Sequence, residues 1–295
     1  MLEAREISLR LGTKGVLHEI TLQVRRREIV ALIGPNGAGK SSLLACLSGA
    51  LTPQSGEVLI DGDLPGNLPP AEMGLRRAVL EQTPSASAAF TTLELIGLAI
   101  PVAIPPADAR RLAARAALAL GLTALLDHPI SWLSGGERHR AHMARTLAQL
   151  WAGRQLGAGD WLMLDEPTAS LDLAHQLAVL DAARGAARDG AGVLVVLHDL
   201  TLAGSLADRA ILMQDGRIAA EGPVPDVLTP AVLAPVYRTG VEVIETPSGA
   251  RAVVPIFHTI TEEISHVHSD EPLPGRQRAG NRVRGGLAQP ADPPG

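Results

Sequence analysis

The chain has 295 residues, 46% of them hydrophobic and 19% charged, enough to build one large core with appendages. Its formal net charge of −5 excludes the basic face of a general nucleic-acid binder, and its single cysteine, Cys46, excludes an internal disulfide. No stretch approaches the ~20 apolar residues that cross a bilayer, and Met1–Glu6 lacks the order of a signal peptide, so any membrane association must come through a partner.

Leu2–Leu11 is β-prone with partial alternation, Gly12–Gly15 is a turn, and Ile20–Val24 alternates again. Ile29–Ile33 is a continuous apolar run suited to a buried parallel strand, followed by a glycine-rich loop and a short helix over Ser41–Gly49. Ser55–Ile60 reads as a strand with a turn at Asp61-Gly62. Thr91–Ile100, Asp108–Leu120 and Glu137–Leu150 are rich in Ala and Leu and read as helices, with Pro101, Pro105 and Pro106 breaking the first run. Residues 84–150 therefore form a predicted helical subdomain inserted into an α/β core. Trp161–Leu164 and Val193–Leu197 return to buried-strand composition around the helix Leu173–Arg188, which favours a mostly parallel sheet covered on both faces. Ile211–Met213 and Ile218–Ala220 flank an Asp215-Gly216 turn. From about residue 270 the chain turns to Pro, Gly and Arg, which cannot bury enough apolar surface to offset ordering entropy. The expected organisation is a main domain over 1–245, an extension over 246–269 and a disordered tail over 270–295.

Three segments carry chemistry. Gly34-Pro35-Asn36-Gly37-Ala38-Gly39-Lys40-Ser41 fits G-x-x-x-x-G-K-[ST] between a predicted strand and helix. Its glycines let backbone N–H groups turn inward around phosphates, and the helix beginning near Lys40 adds its positive end. Lys40 suits the β- and γ-phosphates of a nucleotide, Ser41 can ligate Mg²⁺, and Ser42 adds an α-phosphate contact. Leu133-Ser134-Gly135-Gly136-Glu137 precedes the helix Arg138–Leu150; alone it is commonly a capping turn, but its hydroxyl and free N–H groups also suit an anion. The apolar strand ending in Asp165-Glu166 delivers two carboxylates where open α/β sheets bind ligands, and a turn starting at Pro167 can re-aim Glu166.

In this order the segments resemble the ABC transporter ATPase family over about residues 2–240. The resemblance implies an α/β P-loop NTPase core with an inserted helical subdomain and an N-terminal antiparallel β subdomain. It assigns Asp165, with Ser41 and Gln82, to Mg²⁺, and Glu166 to polarising the attacking water. His198 matches the switch histidine at the γ-phosphate. Gln82 resembles the Q-loop glutamine, whose loop faces the permease. Ser134, Gly135, Gly136 and Glu137 match the signature motif, which reaches the γ-phosphate held by the other subunit of a head-to-tail homodimer, and Ser170-Leu171-Asp172 matches the loop that communicates between the two sites. Leu11 stands where the family commonly stacks adenine on an aromatic ring, so base recognition is expected by apolar contact.

Within the family, Ser134–Glu137 with Arg145–Trp151, Asp165–Gln176, Val193–Leu202 and Gly222–Tyr237 resemble the haem importer ATPases. That likeness implies two transmembrane permease subunits on separate chains, a periplasmic or extracellular haem-binding protein acting through them, and a peripheral place on the cytoplasmic face of the cell membrane. Iron-siderophore and cobalamin importer ATPases are the sister reading. A non-transport ABC protein, usually built with two nucleotide domains or a long coiled coil, is the reading from another class; an export ATPase is disfavoured by the same segments. His258, His266 and His268 read as polar surface near the tail rather than haem or metal ligands. His139 and His142, one turn apart, read as surface groups, and Cys46 as a small packed residue.

Overall fold

The computed structural model describes residues 1–82, 90–247, 249 and 251–256. The predicted tail, His258, His266 and His268 lie outside the described residues, as does the predicted start of the helical subdomain at residue 84. β1 (Leu2–Leu11), β2 (Lys14–Val24) and β4 (Ser55–Ile60) form the antiparallel sheet β2-β1-β4. Register shifts in β1 fall beside Glu6, whose φ of 51° marks a bulge that bends the strand over the core. Between β2 and β4 the chain crosses through β3 (Ile29–Ile33) and α1 (Lys40–Leu47).

The second sheet has the order β5-β6-β7-β3-β8-β9, adding β5 (Arg77–Leu80), β6 (Trp161–Asp165), β7 (Gly192–Val196), β8 (Arg209–Gln214) and β9 (Arg217–Pro223). All neighbours pair in parallel except β9, an antiparallel edge. Every residue of β3, β6 and β7 is buried, as strands covered on both faces must be. Their side chains alternate between two cores. Val30, Leu32, Trp161, Met163, Leu194 and Val196 join α1 and the N-terminal sheet. Ala31, Ile33, Leu162, Leu164, Val193 and Val195 join the helices on the opposite face.

The short α2 (Pro70–Arg76) feeds β5, and neither is evident in the sequence. α3 (Thr92–Gly97) and α4 (Pro106–Ala119) pack on the long α5 (Gly135–Gln155). Thr91 and Glu94 form a capping box on α3, and Pro106 at the first position of α4 uses its fixed φ where no N–H is needed. After α6 (Leu173–Arg188) and α7 (Leu200–Leu206) come α8 (Val224–Val227), α9 (Pro230–Tyr237) and a hairpin of β10 (Val241–Glu245) with β11 (Arg251–Pro255). The hairpin straddles the domain boundary expected at residue 245, and the compact unit runs from Met1 to Ile256.

Two histidines depart from the surface reading. α5 is covered by α2, α3 and α4 together with β5, so residues one turn apart on it still face protein. His139 is half-buried and donates from Nε2 to the Pro167 carbonyl at 2.9 Å. His142 is only 1% exposed, and neither ring nitrogen has a hydrogen-bond partner. Burial, reinforced by Arg145, His139 and Arg138, pushes its pKa down from 6.5 to about 4. Between those values the unfolded chain binds a proton that the folded chain does not, so folding stability is lost as pH falls through this window. The loss on going from about pH 8 to about pH 4.5 is roughly 2–3 kcal/mol for this one group. Urea unfolding at both pH values should show that His142→Leu narrows the wild-type difference by that amount; an unchanged difference would mean His142 is paired or hydrated in the folded state.

Candidate functional site

Three neighbouring strands end on one cleft. β3 runs into Gly34, whose φ is 143° and at which a Cβ would lie 2.2 Å from the Met213 carbonyl oxygen, so no side chain fits. Gly37 and Gly39 also take positive φ, 80° and 99°, and wind the loop into α1. No side chain caps α1, which leaves its first-turn N–H groups for an external acceptor. Gly37, Gly39, Lys40, Ser41 and Ser42 line an open cleft of about 640 Å³ that also receives Gln82, Glu166 and His198. Leu11, Lys14 and Val16 form its far wall.

Lys40 is 5% exposed, and its Nζ donates to the carbonyls of Gly34 (2.8 Å) and Pro35 (2.9 Å) of its own loop. Burial lowers its pKa, and the carboxylates of Glu166 and Asp165 oppose that shift. Asp165, the last residue of β6, is buried and takes a hydrogen bond from Ser41 Oγ at 3.2 Å. Desolvation pushes its carboxyl above the ordinary range; the Ser41 bond pulls it back, and Glu166 pushes it further up. A buried carboxyl beside a hydroxyl offers hard oxygen donors suited to a small divalent cation that completes its shell with water and phosphate.

Glu166 leaves the strand with φ of 51°, in the left-handed region, while its N–H is held by the Val196 carbonyl at 3.2 Å. That turn brings its carboxylate to His198, with Oε1 and Nε2 2.5 Å apart. Strict strand alternation sends Glu166 away from Asp165; the strained backbone aims it back into the cleft. His198 follows Leu197 at the end of β7, and its side chain is 44% exposed. Gln82 stands two residues past β5; residues 83–89 beyond it are outside the described set. Leu11, at the end of β1, is 49% exposed and offers an apolar wall with Val16. Lys14 and Val16 escape motif reasoning because no pattern marks them; only the pairing of β1 with β2 carries them to the cleft.

The remaining expected residues sit elsewhere in the chain. Ser134 is the N-cap of α5 in a full capping box: its N–H donates to Glu137 Oε2 at 2.8 Å, and its Oγ accepts from the Glu137 N–H at 3.3 Å. The Ser134 hydroxyl and N–H hold the Glu137 carboxyl below its ordinary range. The helix starts at Gly135 rather than Arg138, so both glycines lie in its first turn. Asp172 caps α6, accepting from the His175 N–H at 3.0 Å and pairing with His175 Nδ1 at 2.8 Å, which keeps its carboxyl low. A Cβ on Gly136 would come within 3.4 Å of Leu171, so the start of α5 and the loop before α6 form one surface. Neither Ser134–Glu137 nor Asp172 lines the cleft that holds Lys40.

Comparison with known proteins accords with this arrangement. The ABC transporter family model matches residues 17–169. A hemin import ATP-binding protein, HmuV, of Nocardia farcinica is 47% identical over 247 residues, covering 82% of this chain and 83% of that protein. HmuV of Rhodopseudomonas palustris is 41% identical over 254 residues, covering 86% and 94%. Among solved structures, the ATP-binding subunit of an ABC transporter superposes with a TM-score of 0.70 at 25% identity, over 81% of this chain and 98% of that one. A dimeric bacterial ABC transporter cassette shares the fold, with a TM-score of 0.67 at 24% identity, over 76% and 99%. With the phosphate-type loop, the paired carboxylates and the inserted helices in place, the chain belongs to the ABC transporter family as a nucleotide-binding ATPase subunit.

Proposed function

We propose that the chain hydrolyses MgATP as a homodimer to drive haem (hemin) import through two separate permease subunits, at the cytoplasmic face of the membrane. The observation that carries the hydrolytic part is the Glu166–His198 pair, 2.5 Å apart at the ends of adjacent strands and opening on the same cleft as Lys40 and Ser41. The cargo rests on the hemin import proteins that match 82–86% of the chain at 41–47% identity. Among the described residues no helix is long and apolar enough to cross a membrane, which fits an ATPase acting on a separate permease.

In this reading the phosphates of ATP lie along Gly34–Ser42 and against the first turn of α1, and Lys40 exchanges its two carbonyl partners for β- and γ-oxygens. Ser41 and Asp165, with Gln82, are the residues that would hold Mg²⁺, which would supply positive charge to offset that of the phosphates. Glu166 accepts a proton from the attacking water, and His198 fixes the rotamer of that carboxylate and faces the γ-phosphate. Leu11 and Val16 cover the base by apolar contact. Ser134, Gly135, Gly136, Glu137 and Asp172 line no part of this cleft, and they act on the nucleotide held by the second copy. A periplasmic or extracellular haem-binding protein reaches the ATPase only through the permease.

Glu166→Gln should retain ATP binding and lose hydrolysis by at least about 100-fold, the usual worth of a positioned general base. Steady-state phosphate release decides this, and turnover near the wild-type rate would remove Glu166 from that role. Lys40→Ala should lose nucleotide affinity in an equilibrium titration, and unchanged binding would contradict the phosphate assignment. For the cargo, the ATPase is reconstituted with its permease, and haem-loaded binding protein is added or withheld. Stimulation by the loaded protein alone is expected; indifference to haem would redirect the cargo to siderophores or cobalamin.

A further inference from the structure

The C-terminal hairpin β10–β11 belongs to none of the motifs above, yet it lies against the helix that follows His198. The outer edge of β11 faces α7: the Val253 N–H donates to Thr201 Oγ1 at 3.1 Å. Three residues on, a Cβ at Gly204 would fall 2.4 Å from the Arg251 carbonyl oxygen, so helix and strand approach backbone to backbone. The hairpin is itself anchored to the body. Arg251 Nη1 donates to the Pro225 carbonyl at 3.1 Å, and the Ile256 N–H closes the base of the hairpin on the Gly240 carbonyl at 2.8 Å.

At its other end Thr201 donates its N–H to Asp199 Oδ1 at 2.8 Å, and Leu202 donates to the same oxygen at 3.1 Å. Asp199 is the N-cap of α7 and follows His198 directly. His198 lies outside any helix or strand, its side chain is 44% exposed, and the hydrogen bond described for its ring is the one to Glu166. The placement of that ring therefore depends on how firmly the first turn of α7 is held.

We propose that Thr201 is a positioning residue: it fastens α7 to the C-terminal hairpin and, through Asp199, holds His198 against Glu166. The inference rests on the hydrolytic role proposed above for Glu166 and His198. The hairpin becomes part of the catalytic apparatus without touching nucleotide. Loosening it widens the range of His198 positions and lowers the fraction of molecules with an aligned pair, while the phosphate loop on β3 and α1 is left intact.

The test compares ATP hydrolysis by the full chain with Thr201→Val, which keeps the shape and removes the acceptor, with Thr201→Ser, which keeps the acceptor, and with Gly204→Ala, which pushes β11 off α7. Thr201→Val and Gly204→Ala should lower kcat by about tenfold and leave KM for ATP within about twofold, the signature of lost alignment rather than lost binding. Thr201→Ser should recover the wild-type kcat, and the melting temperature of Thr201→Val should stay close to wild type. An unchanged kcat in Thr201→Val overturns the proposal. A joint loss of kcat, KM and melting temperature that Ser does not rescue overturns it too, because it marks a merely structural contact. Glu166→Gln is assayed alongside: if it hydrolyses at the wild-type rate, the hydrolytic reading fails and the positioning role with it. If it is inactive while Thr201→Val is normal, only the positioning role falls.

Discussion

Burial of β3, β6 and β7 on both faces is the constraint from which the rest of the molecule follows. Strands that are apolar along their whole length leave polar chemistry no place except where the chain leaves the sheet. Parallel pairing then aligns those exits. Gly34 after β3, Asp165 and Glu166 at the end of β6, and His198 after β7 come together although 164 residues separate the first from the last, because β6, β7 and β3 are consecutive in the sheet. The same sheet supplies the force that holds strained groups in place. A buried lysine, a buried carboxyl and a glutamate at φ of 51° each cost free energy, and each persists because two cores over-determine the backbone on either side.

That logic explains which parts of the structure were legible beforehand. The buried strands announce themselves as unbroken apolar runs, and the loop after β3 as glycines whose positive φ no other residue adopts cheaply. Lys40 and Ser41 were readable from the glycine loop that precedes them, Asp165 and Glu166 from the apolar run they terminate, and the roles of Asp165, Glu166 and His198 from the family resemblance. β5 was not: Arg77-Ala78-Val79-Leu80 is too short a run to stand out, and its pairing with β6 decides its conformation. The β10–β11 hairpin was missed because its strands carry mixed exposure and it is held by contacts with α7 and the α8 segment. His142 was misread because helical spacing says which residues share a face, not whether a neighbouring layer covers that face.

Several polar side chains at the cleft and at the start of α5 are already paired within one chain. Lys40 binds the carbonyls of its own loop, Ser41 bonds to Asp165, and Ser134 and Glu137 saturate each other across the first turn of α5. Nucleotide binding in the proposed mechanism is therefore partly an exchange of partners: the bonds from Lys40 and Ser41 replace internal ones, while the uncapped N–H groups of α1 gain new ones. Exchange yields only a modest net free energy per bond, about 0.5–1.5 kcal/mol for neutral pairs and more where charge is involved.

In the proposed mechanism a nucleotide-bound state assembled partly from such exchanges is poised to reverse. Were Lys40 left unpaired without nucleotide, its burial would carry a large penalty, and ATP would be bound too tightly to release after the γ-phosphate departs. The internal partners remove that penalty. Loss of one phosphate then tips several small terms together, and the groups return to the carbonyls and carboxylates they held before. In the proposed mechanism Leu11 works in the same direction: an apolar side chain without a ring to stack holds the base less firmly and leaves more of the affinity with the phosphates, the part of the nucleotide that changes on hydrolysis.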